Sequence, residues 1–86
     1  MNEKENIPPL NVKLGKAKAV EAVVLQDGSR MVKKSTVRYW CERQGAREDF
    51  WIIFRERPYK LSSLEFKRRF KVIIKSGEVR IQLNQT

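Results

Sequence analysis

The side chains of this sequence that could do chemistry are mostly cations grouped around one tyrosine. Residues 35–45, STVRYWCERQG, carry Tyr39 among arginines, and two lysines come just before them. Guanidinium and ammonium groups bind phosphate oxygens, and an aromatic ring beside them can contact a base. The segment therefore predicts a nucleic-acid contact surface. Its predicted contact residues are Lys33, Lys34, Ser35, Thr36, Arg38, Tyr39 and Arg43.

The sequence has few residues that are suited to catalysis or to metal binding. The sequence has no histidine and a single cysteine, Cys41, and it has no glycine-rich phosphate loop. Serine or cysteine nucleophiles paired with histidine are thus excluded, as are the common zinc ligand sets. Glu48 and Asp49 are adjacent, and neighbouring residues of an extended segment point to opposite faces. We expect no enzymatic activity, no cofactor and no metal, and we expect Cys41 to lie in the core.

The charge balance indicates the class of partner. Among 86 residues, 19 are Lys or Arg and 10 are Asp or Glu, which gives a formal net charge of +9. A positive field of this size attracts nucleic acid, anionic lipid or acidic proteins. We favour nucleic acid, DNA over RNA, and expect no membrane association. The absence of a disulfide pair, a signal peptide and a long apolar run predicts an intracellular location, in the cytoplasm, nucleoid or nucleus.

Residues 35–45 carry the end signals of a helix. Ser35 is suited to the N-cap and Gly45 to a left-handed C-terminal cap. Val37, Trp40 and Cys41 follow helical spacing and would face the core, which leaves Tyr39 on the solvent side. The predicted contact surface would then be the basic face of this helix.

A second helix is predicted to begin after Ser62. Ser62 and Glu65 form the S-x-x-E pattern of a capping box, and Leu61 and Phe66 match a hydrophobic staple. Phe66 and Phe70 lie one turn apart and should be buried. The cations that follow Phe66 need no ligand, because the helix dipole favours positive charge near a C-terminus.

Two apolar segments predict a hairpin in the middle of a sheet. Residues 50–55, FWIIFR, are apolar on both faces of a strand, as in a strand that is covered on both sides. A charged turn with a proline follows, and residues 59–61 resume the alternation. Arg55, Arg57 and Lys60 would form one cationic edge at the tip of this hairpin.

The remaining segments predict further strands and an arm. Residues 19–25 indicate a strand that turns at residues 27–28, with Val24 opposite Met31, although a helix over residues 16–26 stays open. Residues 70–75 and 78–83 predict a terminal antiparallel hairpin around residues 76–77. Residues 1–18 predict a flexible basic arm. The expected fold is therefore α+β: a single domain over residues 19–86, with two short helices and antiparallel hairpins.

The order of these motifs resembles a known DNA-binding family. STVRYW, a glycine, two strands with a basic turn, and Tyr-Lys-Leu-Ser-Ser before a short helix resemble the winged helix-turn-helix of excisionase and MerR-type regulators. The resemblance implies a winged-helix-like fold and duplex DNA binding in a regulatory, phage or mobile-element setting. It places the helix that begins at Ser35 in the major groove. The residues that would face DNA are Ser35, Thr36, Arg38 and Tyr39. Arg55, Arg57 and Lys60 would lie on the wing.

Two alternatives remain open. Single-stranded nucleic acid or RNA could stack on exposed aromatic side chains of a basic sheet, for which Trp51 and Tyr59 are the candidates. A protein-interaction module, such as an inhibitor or adaptor, could instead bind an acidic partner through its charge or through the edge of the terminal hairpin.

Overall fold

The computed structural model describes Pro9 and residues 11–82. Within these residues it has eight strands and one helix. The elements are β1 (Gly15–Ala19), β2 (Val23–Val24), β3 (Arg30–Met31), β4 (Thr36–Gln44), β5 (Arg47–Phe54), β6 (Arg57–Ser62), α1 (Ser63–Arg69), β7 (Phe70–Ile74) and β8 (Glu78–Arg80).

Six of the strands form one mostly antiparallel sheet. Its order is β6-β5-β4-β1-β7, and β8 pairs with β4 in parallel, beyond the end of β1. The short strands β2 and β3 form a separate antiparallel pair. The expected α+β fold with two helices and a winged-helix-like arrangement is therefore wrong, because the described residues form a β-rich domain with one helix.

The error lies in residues 35–45, which form β4 and not a helix. Val37, Tyr39 and Cys41 alternate along β4 and point to one face, whereas Trp40 points to the other face and not into a shared helical stripe. Both helix-end signals also serve strands. Ser35 Oγ donates to the Val32 carbonyl at 2.7 Å in the turn before β4, and the φ of 62° at Gly45 lies in the turn after it.

The inner face of the sheet is covered by α1 and by the β2–β3 hairpin. Phe66 of α1 is 1 % exposed, and its ring stacks on Phe50 of β5 with 4.3 Å between centroids. Val23, Leu25 and Met31 complete the same core from the hairpin side. The helix begins as predicted, because Ser62 Oγ accepts the Glu65 backbone N–H at 3.2 Å.

The predicted strand and its hairpin form, but the strand spans Arg47–Phe54, so it begins before residue 50 and Arg55 lies in the turn. Phe50 and Ile52 face the core, and Trp51 and Ile53 lie on the opposite face. β5 is an interior strand, but β4 occupies the middle of the order. The turn to β6 contains Arg55 and Glu56, and residues 50–52 pair with residues 59–61 in the predicted hairpin.

The first hairpin forms around Asp27 and Gly28, with a register that differs from the expected one. Val23 pairs with Met31 and Val24 with Arg30, so Val24 does not oppose Met31. The backbone N–H of Leu25 donates to the Ser29 carbonyl at 2.8 Å, which closes the loop around three central residues. The alternative helix over residues 16–26 does not form, since β1 and β2 occupy its two ends.

The predicted terminal hairpin does not form. β7 pairs with β1, and β8 pairs in parallel with β4, so the two strands do not pair with each other. The predicted pairing of Phe70 with Leu83 falls outside the described residues. Half of the expected N-terminal arm, residues 1–8 and 10, also lies outside them, but its last part, residues 15–18, belongs to β1.

Candidate nucleic-acid interface

A group of cations without ion pairs to the described residues lies on the face of the sheet opposite α1, which we call the outer face. Strand residues alternate between faces, and directly opposed partners share one. In β1 the small residues Ala17 and Ala19 point into the core, so Lys16 and Lys18 point outward.

Cross-strand pairing places four cations on this face in two opposed pairs. Lys16 of β1 is the partner of Arg38 of β4, and Lys18 is the partner of Lys71 of β7. All four residues are exposed. None of them forms an ion pair with a carboxylate of the described residues. We call these four residues the cationic strip.

Like charges that oppose each other directly in a sheet are destabilising. Partners in neighbouring strands have Cβ atoms roughly 4.5–5.5 Å apart. The long side chains can bend away from each other, but their charged ends stay close enough to repel. Two such pairs side by side produce a local positive potential on the outer face.

The predicted residues Lys33, Lys34 and Ser35 lie at one end of this strip. They form the turn before β4, where Lys34 has a φ of 76°. Its backbone N–H donates to the Ala19 carbonyl at 2.8 Å, and the Ser35 carbonyl accepts the Ala19 N–H at 2.8 Å. The turn is therefore held against the end of β1 next to Lys18, and Thr36 is the cross-strand partner of Lys18.

An aromatic pair lies on the outer face beside the strip. Trp40 of β4 and Trp51 of β5 are cross-strand partners, and their rings stack with 5.7 Å between centroids and 6° between planes. Trp40 is 3 % exposed, whereas Trp51 is only partly buried. Lys60 Nζ lies 5.8 Å from the Trp51 ring centroid. Trp51 is thus the ring of this pair that a ligand can reach.

Beyond the tryptophans the outer face is close to neutral. Asp49 forms an ion pair with Arg47 at 3.0 Å. Lys60 Nζ lies 3.8 Å from the Asp49 carboxylate and 4.0 Å from the Glu42 carboxylate. The predicted contact residue Lys60 is therefore on the outer face but already has anionic partners. Among the described residues, the cations of the outer face that form no ion pair lie at the end that carries the cationic strip.

Two predicted contact residues on β4 face the core side instead. Tyr39 is 2 % exposed, and its hydroxyl oxygen accepts the Ser76 backbone N–H at 3.0 Å. Arg43 binds Glu48 and Glu78, each at 2.9 Å, which ties β4 to β5 and β8. The hydrogen bond and charge of Glu78 raise the pKa of Arg43. Neither side chain is available to phosphate on the outer face.

The predicted cationic edge of Arg55, Arg57 and Lys60 does not form. The Arg55 guanidinium lies over the Phe54 ring at 4.9 Å, in the turn. Arg57 lies 3.7 Å from Asp27 of the first hairpin, on the opposite side of β6 from Lys60. Of the predicted residues, the structure brings together Lys33, Lys34, Ser35, Thr36 and Arg38.

Three cations of the strip were not among the predicted contacts. Lys16 and Lys18 belong to GKAKA, a strict alternation of lysine with small residues that fits an amphipathic strand. The pattern lies within the expected flexible arm of residues 1–18, whereas the structure places it in β1. Lys71 has no comparable local signal, because only the pairing of β7 with β1 places it beside Lys18.

The described residues contain no helix long and apolar enough to cross a membrane. Comparisons of the chain with protein-family models, with curated proteins and with solved structures found no match.

Proposed function

We propose that this protein binds nucleic acid through the outer face of its sheet, and single strands in preference to duplex. The observation that carries the proposal is the cationic strip: Lys16 opposes Arg38 and Lys18 opposes Lys71, with no anionic partner among the described residues. Such an arrangement costs stability in the free protein and is relieved when phosphates lie between the cations.

Phosphate binding would supply most of the affinity. Each contact releases counterions from the nucleic acid, so binding weakens steeply as salt rises. The turn with Lys33 and Lys34 extends the positive surface at the β1 end. The overall net charge of +9 steers an anionic chain toward the protein from a distance.

The preference for single strands follows from the shape of the surface. A major groove admits a helix or a two-stranded ribbon, and here residues 36–44 are a central strand of a wide sheet. A sheet face with cations and an accessible ring instead suits unpaired bases, which stack on aromatic side chains. Trp51, next to the strip on the same face, would provide that stacking contact.

Fluorescence anisotropy with labelled 20-nucleotide single-stranded DNA, single-stranded RNA and duplex DNA tests the proposal at two salt concentrations. The variant Lys16→Gln/Lys18→Gln removes half of the strip. Its matched control, Arg55→Gln/Arg68→Gln, removes the same charge from the β5–β6 turn and from α1. For two lost single-strand contacts, the slope of log affinity against log salt should fall by about 1.4.

The control variant should retain most of the wild-type affinity and slope. Equal losses in both double variants would show that only net charge matters, and the assigned face would be wrong. No binding of any of the three nucleic acids at low salt would remove the proposal altogether. A clear preference for duplex would keep the strip but reject the stacking role of Trp51.

The edge strand β7 favours a second candidate function, the binding of an acidic protein segment by strand addition. Val72, Ile73 and Ile74 are 44 %, 52 % and 42 % exposed, and β7 pairs with β1 on one side only within the described residues. An unpaired edge with exposed β-branched residues between Lys71 and Lys75 suits an extended acidic chain. A seven-residue peptide of alternating glutamate and valine should then shift the backbone amide signals of β7 in NMR spectra, and unchanged signals would reject this function.

A further inference from the structure

A cavity opens on the other side of the molecule, between α1 and the loop that joins β7 to β8. Its volume is about 490 Å³, and Tyr39, Phe50, Phe66 and Val72 form its apolar lining. Protein interiors contain few voids larger than a water molecule, whereas ligand sites measure roughly 300–1,000 Å³. A concavity of this size in such a small domain therefore has the dimensions of a binding site.

The carboxylates around the cavity are already neutralised. Arg43 binds both Glu48 and Glu78 at 2.9 Å, and Lys67 Nζ lies 3.6 Å from Glu48. Burial alone would raise the pKa of Glu48, but the hydrogen bond from Cys41 and nearby cations outweigh it and keep the pKa below its ordinary value of 4.5. Both carboxylates are thus ionised and paired, and they leave little negative charge to repel an anion.

Two polar groups of the cavity lining, the Lys75 ammonium and the Tyr39 hydroxyl, remain free to bind an anion. Lys75, just after β7, is exposed and forms no ion pair with a carboxylate of the described residues. The buried Tyr39 hydroxyl accepts the Ser76 N–H at 3.0 Å, but its own hydrogen has no acceptor among the described residues. Gly15 holds this ring in place, since a Cβ there would lie 2.6 Å from Tyr39 Cε1.

We propose that this cavity binds a small planar aromatic carboxylate. The flat body would lie against Val72, which is 44 % exposed, and would touch only the small accessible parts of Phe50 and Phe66. The carboxylate would accept hydrogen bonds from the Tyr39 hydroxyl and the Lys75 ammonium. A charged oxygen between these two donors satisfies the free hydroxyl hydrogen, and charge-assisted hydrogen bonds are the stronger kind. The site lies on the face opposite the cationic strip, so it does not rest on the nucleic-acid function.

A titration of the isotope-labelled protein with 2-naphthoate, followed by NMR, tests this site. Naphthalene-2-methanol has the same body without the charge, and acetate has the charge without the body. Saturable shifts should appear at the amides of Ser76 and Gly77, and the alcohol should bind at least about fivefold more weakly. Acetate should cause no saturable shift at these residues.

Two variants with equal charge loss separate the site from a general attraction of anions. Lys75→Gln should weaken naphthoate binding about fivefold and leave the binding of the alcohol unchanged. Lys71→Gln, on the same strand segment but in the cationic strip, should bind naphthoate as the wild type does. Tyr39→Phe should also weaken naphthoate more than the alcohol, because it removes only the hydroxyl.

Several results would overturn the proposal. Shifts confined to Lys16 and Arg38 would mean that naphthoate binds the cationic strip, and equal losses in Lys75→Gln and Lys71→Gln would mean general charge attraction. Absence of saturation at millimolar naphthoate would also reject it. Val72→Phe, which adds a ring to the cavity lining, should abolish binding in a folded protein, and full binding by that variant would place the ligand elsewhere.

Discussion

Lys16 and Arg38 lie directly opposite each other on β1 and β4, and no carboxylate of the described residues pairs with either. Replacing Lys16 with Gln should therefore raise the free energy of unfolding by a few tenths of a kcal/mol at low salt, because a repulsion is removed. Urea unfolding at low and at high ionic strength measures this effect, which salt should abolish.

Lys33→Gln is the matched control for this change. It removes the same charge from the turn before β4, where no strand partner opposes it. If Lys16→Gln lowers stability, or if both variants gain equally, the opposed pair is not repulsive. A gain in stability combined with weaker nucleic-acid binding would show that the strip is retained for binding at the expense of stability.

The thiol of Cys41 should be unreactive in the folded protein. Burial first, and then the hydrogen bond to Glu48 and its charge, raise the pKa of Cys41 to about 12. Only the thiolate is nucleophilic, so alkylation by iodoacetamide at pH 8 should be at least about a hundredfold slower in the native protein than in urea. Mass spectrometry of timed samples measures both rates, and similar rates would mean that the thiol is accessible and ionised.

The same shift predicts a loss of stability at alkaline pH. The unfolded thiol ionises near its ordinary pKa of 9.0, while the folded thiol keeps its proton until about pH 12. The contribution of the neutral thiol is thus complete below pH 9 and is lost as pH rises toward 12. The difference in unfolding free energy between wild type and Cys41→Ala should shrink from pH 8.5 to pH 10.5, and a constant difference would contradict the shift.

Asp27 should make the fold sensitive to acid. Its carboxylate accepts the Ser29 backbone N–H at 2.9 Å and the Tyr59 hydroxyl at 2.9 Å, which ties the first hairpin to β6. The bonds from Ser29 first, and then that from Tyr59, lower the pKa of Asp27 from 3.8 to about 2. The ionised carboxylate therefore stabilises the fold at pH values above its pKa in the unfolded protein. This stabilisation is lost as the pH falls through its pKa in the folded protein.

Urea unfolding of wild type and Asp27→Asn between pH 5 and pH 2 tests this dependence. The wild type should be the more stable protein at pH 5, and the difference should decline as pH falls from about 4 to 2. Tyr59→Phe removes one of the bonds and should show a smaller part of the same dependence. A difference that grows toward low pH would have the wrong sign and would reject the assignment.

The elements that could be predicted from the sequence are those whose signals are local. The capping box of Ser62 and Glu65 acts within one helical turn, so it identified α1 correctly. The two-sided apolar segment of β5 also needs no distant information. Asp27 and Gly28 marked the first hairpin, although the register depends on packing and came out differently.

The predictions that were wrong concern elements whose pairing partners lie far away in the sequence. Residues 70–74 and 78–80 look like a hairpin, but β7 adds to β1 and β8 adds to β4. The competition between those pairings is decided by the whole sheet and cannot be read from a turn. The cationic strip depends on the same pairings, so Lys71 could not be predicted from its local sequence. Arg38 was predicted to be exposed, but on a helix that does not form.

The segment at residues 35–45 failed for a different reason. Its serine and glycine are shared signals, since turns use the same residues as helix caps. Its β-branched and aromatic content favours a strand, and only the alternation of Val37, Tyr39 and Cys41 separates the two structures. Trp40 made the alternation hard to recognise in the sequence. It is apolar and 3 % exposed although it lies on the outer face, so apolar residues do not mark one face alone.

The turn between β5 and β6 stores strain that a substitution can release. Arg55 and Glu56 have φ values of 54° and 66°, so both central residues are left-handed although neither is glycine. The left-handed conformation costs a residue with a Cβ roughly 1–2 kcal/mol, and glycine adopts it freely but loses more entropy on folding. Glu56→Gly should therefore stabilise the protein by about 0.5 kcal/mol, measured by urea unfolding. Glu56→Ala removes the same carboxylate but keeps the Cβ, so it should give no such gain, and an equal gain in both variants would attribute the effect to charge and not to backbone strain.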